Sequence, residues 1–239
     1  MNTTSRVSGP RRLPPEERDR SILEGAVGLA RESGLEALTL RAVAARVGVT
    51  PALVAHYRPG MDAFLADVFG EIVAAERDEV MASFDPGATV RDNLLHMTET
   101  LLDGRRDDVT LVWVQAWALG ARNEALAARV RSEMDLWQSA LEAHLARAVA
   151  SGEISATRTE TAAWLLLAMI DGMNAHSLVK WAPHDRAALA RRTLAVVLDP
   201  RGDAPSPLTP DPLTPDPLTP NTLTPNPPDA PASAPSSAK

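Results

Sequence analysis

Two short helical patterns separated by a tight turn lie in the first quarter of the chain, and they constrain its fold more than any other feature. The first pattern spaces its apolar residues as one buried helical stripe: Leu40, Val43, Ala44 and Val47. Thr39 precedes it as an N-cap candidate, and Gly48 follows it with the permissive backbone of a sharp turn. Thr50 and Pro51 suit the cap and first position of a second helix, which Pro59-Gly60 ends. Helices this short need another element to pack against.

A longer amphipathic helix precedes this pair and offers that surface. It is predicted to begin at Pro15 and to stop at Ser33-Gly34. Its apolar face consists of Ile22, Leu23, Ala26, Val27, Leu29 and Ala30. A helix followed by two short helices around a tight turn matches the helix-turn-helix plan, in which the last helix enters the major groove of DNA. We therefore expect residues 15–60 to form a DNA-binding domain.

The exposed side of the second short helix supplies the candidates for DNA contact, whereas Val54 is expected to turn inward. The outward residues are predicted to be Thr50, Pro51, Ala52, Ala55 and His56. Small side chains at Ala52 and Ala55 allow close approach and offer methyl contact to thymine. Hydroxyl groups, helix amino termini and cations suit phosphates. The candidates for contact with the DNA backbone are Thr39, Thr50, Tyr57, Arg41 and Arg58.

The chain from residue 61 to Asp199 has the pattern of longer helices. They are predicted near 61–83, 89–102, 107–119, 123–150, 157–180 and 185–198, with breaks at glycine, proline and aspartate. Alanine and leucine dominate the apolar residues, aromatic residues are only 4%, and few segments alternate with period two. This pattern favours an all-α fold with about nine helices.

Charge is distributed unevenly along the chain. The net charge is −7, which by itself argues against a nucleic-acid partner. However, residues 1–60 hold nine arginines and six acidic residues, so the predicted arm and DNA-binding domain together are the basic part of an acidic protein. The opening residues lack the apolar core of a secretory signal, and the longest apolar run, 162–170, is shorter than a membrane span. We expect a cytoplasmic protein without a membrane partner.

Sequence motifs for catalysis are not found, and no catalytic residue, metal site or cofactor is predicted. The chain has no cysteine, which excludes disulfides and thiol chemistry. His96 and Glu99 are three residues apart, but no second pair completes a two-metal site, and His176 and His184 lack a third ligand. Nucleophile-elbow, phosphate-loop and dinucleotide motifs are also missing from the sequence.

The helix-turn-helix segment resembles the TetR (tetracycline-repressor) family of bacterial transcription regulators. The resemblance covers roughly Arg18 to Leu65 and is carried by Gly34-Leu35-Glu-Ala-Leu-Thr39-Leu40, Val43-Ala44-x-x-Val47-Gly48-Val49-Thr50 and His56-Tyr57-x-Pro59-x-x-Asp62-Ala-Phe-Leu65. The variant Leu53-Val-Ala-His56-Tyr57 and the later segment Ile170-Asp171-Gly172 are similar to the betaine/choline-regulator branch. Many members have a buried phenylalanine at the position of Arg58 and a phosphate-binding lysine at that of Met61. The resemblance therefore implies that Arg58 takes the phosphate role and that Tyr57 supplies packing.

For the remainder of the chain, the resemblance implies a helical domain that dimerises and often binds a small effector of unknown identity. The predicted helix 157–180 is apolar almost all round, so it must be covered on both sides. A partner subunit's copy provides that cover, although a central helix of a monomer would have the same pattern. The expected organisation is a disordered arm (1–14), a DNA-binding domain (15–60), an effector-binding and dimerisation domain (61–199) and a disordered tail (200–239). Repression is the default mode of regulation in this family.

Tryptophans are the candidates for an effector pocket. Aromatic rings attract a quaternary ammonium group by cation–π interaction. The candidate residues are Trp113, Trp117, Trp137 and Trp164, together with Asp171. The alternative is that the tryptophans fill the core and the dimer interface. Asp171 could face a cationic ligand or cap a network at that interface.

A proline-rich tail suggests a different function. Thirteen of the 20 prolines lie from Pro200 onward, and a five-residue repeat begins at Ser206-Pro-Leu-Thr-Pro. Such composition is typical of disordered or polyproline-like segments. The spacing of Pro207-Leu-Thr-Pro210 matches the PxxP motifs that SH3- and WW-type grooves bind. An adaptor acting through this tail is therefore the alternative to a DNA-binding regulator.

Overall fold

The computed structural model describes residues 13–154, 158–181 and 185–198, and these residues form nine α-helices without any strand. The helices are α1 (Pro15–Ser33), α2 (Leu40–Val47), α3 (Pro51–Tyr57), α4 (Met61–Ala82), α5 (Val90–Leu102), α6 (Asp107–Gly120), α7 (Glu124–Ser151), α8 (Thr159–Leu178) and α9 (Arg186–Leu198). The all-α prediction is confirmed. The predicted tail and nearly all of the predicted arm lie outside the described residues.

Local capping signals produce the turn between α2 and α3. The Thr39 hydroxyl accepts a hydrogen bond from the Ala42 amide at 3.1 Å, and the Thr50 hydroxyl accepts one from the Leu53 amide at 3.2 Å. Both bonds satisfy amide groups at helix amino termini that have no partner within their own helix. Gly48 has a φ of 69°, in the left-handed region that favours glycine. The structure therefore confirms the predicted starts of both helices.

Helix α1 supplies the surface on which α2 and α3 pack. The side chains of Ile22, Ala26 and Ala30 are fully buried, as are those of Val43 and Val54. A short 3₁₀ turn, Leu35–Ala37, connects α1 to α2, and the sequence patterns did not predict it. The turn buries Leu35 and brings the chain back along α1. The three helices, called the reading module below (residues 15–57), share this apolar interior.

Helix α4 leaves the reading module and enters the core of the larger helical domain. It packs most extensively against α7, which in turn packs against α6 and α8. The largest fully buried side chains of this domain are Phe64, Phe69, Leu94, Met97, Leu126, Leu141, Leu145 and Leu166. Within the described residues, no helix is both long and apolar enough to span a membrane.

A buried ion-pair cluster fixes α4 against α7. Glu133 is 2% exposed and pairs with Arg77 of α4 and, at 3.0 Å, with Arg129 of its own helix. A Cβ added at Gly70 would lie 2.2 Å from the Arg129 Nε atom, so a larger residue at this position would displace that guanidinium. This pairing makes the α4–α7 contact specific, because separating the helices would take Arg77 away from a buried carboxylate.

Candidate functional site

The outward face of α3 presents the residues that the sequence predicted for contact with bases. Thr50, Pro51, Ala52 and His56 are exposed, and Ala55 is half-buried. Val54 on the opposite face is fully buried, as expected from its position in the pattern. The exposed side chains are short except for His56, so the backbone of α3 can approach a flat or grooved partner closely.

The start of α2 and the end of α3 hold the other predicted contacts. Thr39 and Arg41 are exposed at the amino terminus of α2. Among the described residues, none forms an ion pair with Arg41. Tyr57 is half-buried, and its ring meets the edge of the His56 ring with 5.3 Å between centroids. Arg41 is therefore available to a phosphate, whereas Tyr57 contributes mainly to packing.

Arg58 occupies a different environment from the one the sequence suggested. Its side chain is only 15% exposed, and its guanidinium pairs with Asp19 of α1 at 2.8 Å and with Asp67 of α4 at 3.0 Å. The guanidinium also lies over the Phe64 ring, 5.5 Å from its centroid. Arg58 is thus engaged within the protein, and its expected contact with a phosphate stays a prediction. Its geometry joins the end of α3 to α1 and α4.

A cavity of about 390 Å³ lies within the larger helical domain, between α4, α5, α6, α7 and α8. Its lining consists of Glu76, Leu101, Thr110, Trp113, Arg131, Met134, Asp135, Trp137, Gln138, Trp164, Leu167, Ala168, Ile170, Asp171 and Asn174. Apolar and aromatic walls with a few polar groups are typical of small-molecule sites, and the volume is in their usual range.

Three of the four predicted tryptophans line this cavity. Trp113 extends from α6, Trp137 from α7 and Trp164 from α8. Trp117 does not reach the lining and instead packs against Trp113, with ring centroids 5.8 Å apart. Phe69 contacts Trp113 edge-on at 5.0 Å. The indole of Trp113 is thus held in place by two aromatic neighbours that lie outside the cavity.

Glu76 is the cavity residue that sequence reasoning missed. It extends from α4, is 7% exposed, and accepts a hydrogen bond of 3.4 Å from the Trp113 Nε1 atom. Burial raises the pKa of its carboxyl to about 7, although the positive charge of Arg106 acts in the opposite direction. A signal was present in the sequence, because Glu76 shares the buried stripe of Val73 and Val80. An acidic residue in such a stripe needs a partner or a function.

Asp171 of α8 supplies the second carboxyl group of the cavity. Burial raises the pKa of this carboxyl to about 7. Within the described parts of the chain, no group donates a hydrogen bond to this carboxyl or forms an ion pair with it. Of the two roles that the sequence left open, the structure places Asp171 at the cavity together with Trp113, Trp137 and Trp164.

The mouth of the cavity lies between α7 and α8. Its rim includes Arg131 and Asp135 of α7, both exposed, and Trp164, which is 63% exposed. The guanidinium of Arg131 is paired with Glu124 at 2.6 Å, at the exposed surface. The neutral polar groups Thr110, Gln138 and Asn174 complete the lining. A ligand entering here passes an indole before it reaches the buried carboxyls.

Helix α6 joins the cavity to the reading module. Trp113 and Thr110 line the cavity, and Asp108 at the start of the same helix pairs with Arg31 of α1 at 2.7 Å. Further along, the Gln115 side chain accepts a hydrogen bond of 3.3 Å from the Glu36 amide. Helix α6 therefore contacts both the cavity and the end of α1.

Known proteins share both parts of this architecture. The family model "Bacterial regulatory proteins, tetR family" matches residues 22–68, and the model "BetI-type transcriptional repressor, C-terminal" matches residues 90–199. The HTH-type transcriptional regulator BetI of Rhizobium meliloti (strain 1021) is 25% identical over 169 residues, which are 70% of this chain and 80% of that protein.

Solved structures share the fold. A TetR transcription regulator from Haloarcula marismortui superposes with a TM-score of 0.65 and 19% identity, covering 77% of this chain and 97% of that one. A protein from Saccharomonospora viridis in complex with choline superposes with a TM-score of 0.66 and 21% identity, covering 76% of this chain and 96% of that one. The two family models, the BetI relative and the shared fold show that this chain belongs to the TetR family of bacterial transcriptional regulators, with a BetI-type carboxyl-terminal domain.

Proposed function

We propose that this regulator is a homodimeric repressor that leaves a palindromic operator when a small organic cation binds in its cavity. Members of its family are transcription regulators and not enzymes. The observation that carries the proposal is the course of α4. Near its start, Asp67 holds the reading module through Arg58, and further along the same helix Glu76 lines the cavity.

Operator recognition is assigned to the exposed face of α3. Thr50, Ala52, Ala55 and His56 lie where a recognition helix meets base edges in the major groove. The exposed Arg41 and the hydroxyl of Thr39 are the candidates for phosphate contact. His56→Ala should change the preferred sequence, whereas Arg41→Ala should weaken binding to all sequences and reduce its salt dependence. Equal loss on operator and random DNA for His56→Ala would contradict its assignment.

Dimerisation is assigned to α8 together with its neighbour α9. Thr161, Leu165 and Ala168 are exposed along one face of α8, and Gly172 continues that face one helical turn later. A Cβ added at Gly172 would meet no atom within 4 Å, so the surface there is open. Close packing of two such helices around a two-fold axis would cover this face. Leu165→Glu, at an exposed position outside the cavity lining, should therefore shift the protein towards monomer in sedimentation velocity and reduce binding to the full palindrome more than to one half-site.

The effector is assigned to the class of organic cations. Indole faces attract a cation, and Glu76 and Asp171 supply negative charge at a buried position. The likeness to BetI and to the protein in complex with choline supports this class. A cation that binds one geometry of α4 more tightly than the other would shift the population between the operator-bound and released forms.

The decisive experiment is selection of bound fragments from random DNA with the purified full-length protein, followed by titration of organic cations against the selected complex. We expect a palindrome with half-sites about one helical turn apart, released by at least one cation. A chain lacking residues 200–239 should bind the same palindrome. Failure to enrich any sequence, together with loss of a partner on deletion of the tail, would favour the adaptor alternative.

A further inference from the structure

Among the described residues that line the cavity, two carry carboxyl groups away from its exposed rim, and none is a buried cation. Glu76 enters from α4 and Asp171 from α8, and both line the same space of about 390 Å³. Among the lining residues the only basic side chain is Arg131, and its guanidinium is exposed and paired with Glu124. A single protein cation near Glu76, that of Arg106, is paired with Glu79 at 2.9 Å.

Negative charge predominates around the two carboxyls. Asp135 adds a carboxylate at the rim of the cavity, and Asp108 of α6 acts on Glu76 through its charge. Asp171 does so as well, which shows that the two cavity carboxyls are close enough to interact. Unpaired buried carboxylates are costly, and they are tolerated where a ligand supplies the missing charge.

Resting on the proposed function, we propose that the effector is an organic dication, a diammonium compound that places one positive charge at Glu76 and the other at Asp171. The aliphatic segment between the two charges would lie against the indoles of Trp113, Trp137 and Trp164. One carboxylate suffices to neutralise a monovalent cation, so a monovalent effector would leave the second carboxyl without a cation. A dication leaves neither carboxyl unpaired.

Calorimetric titration of the full-length protein tests this proposal directly. The probes are unbranched α,ω-diaminoalkanes, the monoamines of equal chain length, and choline as a monovalent quaternary ammonium. We expect the best diamine to bind at least about tenfold more tightly than the matched monoamine, as a second charge-assisted interaction implies. Equal or tighter binding of choline or of the monoamines would overturn the dication while leaving a cationic effector in place. Failure of every cation to bind would overturn the proposed effector class as well.

Variants of the two carboxyls locate the second charge. Glu76→Gln and Asp171→Asn should each remove the advantage of the diamine and bring its affinity close to that of the monoamine. Glu71→Gln is the matched control, because Glu71 lies on the same helix as Glu76 but is exposed. Circular dichroism and thermal melting of each variant establish that it is folded. A diamine preference that survives both substitutions would contradict the assignment.

Proton release provides a readout that does not depend on affinity. Burial raises the pKa of both carboxyls to about 7, so the pair is partly protonated at pH 7. A diamine that ionises both groups should release these protons, which calorimetry measures by comparing buffers of different ionisation enthalpy. A monoamine should release less. Equal proton release by the diamine and the monoamine would mean that only one carboxyl meets the ligand.

Discussion

Helix α4 carries two carboxylates in different environments: one is exposed and paired with an arginine, and the other is buried at the cavity. Asp67, beside the reading module, is 53% exposed and pairs with the guanidinium of Arg58 at 3.0 Å. Glu76, further along the same helix, is buried at the cavity with only an indole N–H as its hydrogen-bond donor. The first carboxylate is satisfied by the protein itself. The second is not, and its pKa is raised to about 7 in consequence of burial.

This difference indicates where a ligand can act on the molecule. The interior of the reading module is complete in the unliganded chain, since its caps and the Arg58 ion pairs are already formed. The cavity is incomplete, because a buried carboxyl without a cation destabilises its surroundings. In the function proposed above, a cationic ligand contributes its differential binding energy at the cavity, and α4 transmits it to the reading module.

The largest loss of stability is expected when a buried carboxylate without a cation is introduced into the reading module. Val54→Asp places a carboxylate without a partner at a fully buried position of α3. We expect a loss of about 3–5 kcal/mol in the free energy of unfolding, measured by urea denaturation, and loss of operator binding. The control is Ala52→Asp, which places the same group on the exposed face of the same helix. Equal stability of the two variants would contradict the packing of α3.

The next effect follows from removing the unpaired charge at the cavity. A carboxyl whose pKa is higher in the folded than in the unfolded protein stabilises the fold below its unfolded pKa, and this stabilisation disappears as the pH rises through the folded pKa. For Glu76 the window lies between 4.5 and about 7. Because glutamine does not ionise, Glu76→Gln should reduce the fall in the free energy of unfolding across this pH window. Without a ligand, the variant should be about 2–3 kcal/mol more stable than wild type at pH 8.

Urea denaturation at pH 5 and pH 8 measures this change in the pH dependence. Glu71→Gln is the control, since its side chain is exposed on the same helix. Asp171 should contribute in the same direction over the window from 3.8 to about 7, but less, because it is less completely buried than Glu76. A stability difference between Glu76→Gln and wild type that is equal at both pH values would show that the carboxyl is not the cause.

A smaller loss of stability is expected from removing Arg58, the cation that pairs with Asp67. Arg58→Ala leaves Asp19 and Asp67 without their cation, but both carboxylates are accessible to water. The main loss is the packing of the guanidinium over Phe64, so we expect destabilisation of about 1–2 kcal/mol. The slope of DNA affinity against salt should stay unchanged, because this guanidinium is engaged within the protein. A smaller slope would restore Arg58 as a phosphate contact.

The reading module could be predicted from the sequence because its structure depends on neighbours along the chain. A threonine cap, a proline at the first helical position and a left-handed glycine each act over three or four residues. Even there, the role of Arg58 was not predictable. Its partners Asp19 and Asp67 lie on two other helices, and only the packing of those helices brings them together.

The cavity could be predicted only in part, because it is assembled from distant segments. The tryptophans could be listed as candidates, but separating Trp113 from Trp117 required knowing which face of α6 meets α8. Glu76 was not predicted because the pattern of residues 61–83 indicates a helix but not which of its acidic residues is buried. Sequence periodicity gives the buried face of a helix, but it does not give what lies opposite that face.

Removing the N-cap of α3 should lower the free energy of unfolding by less than removing the packing of Arg58 against Phe64. Thr50→Ala removes the hydroxyl that accepts a hydrogen bond from the Leu53 amide at the start of α3. We expect a loss of about 1 kcal/mol in the free energy of unfolding, and Thr50→Ser should restore most of it. Because Thr50 is also exposed on the recognition face, the serine variant separates its capping role from base contact. Full stability of Thr50→Ala would show that solvent replaces the cap.

The smallest effect is expected at a close but exposed ion pair, that of Arg46 with Glu32. Arg46 binds both carboxylate oxygens of Glu32 at 2.6 Å, closer than either partner of Arg58, and holds the pKa of Glu32 below its usual value. However, the two side chains are 40% and 57% exposed, so water and salt compete for both charges. Glu32→Gln should therefore leave the urea midpoint unchanged within error at pH 7, at both low and high salt. A clear, salt-sensitive drop would mean that pairing geometry outweighs exposure here. The contrast between the two ends of α4 would then have to be explained by hydrogen-bond geometry and not by burial.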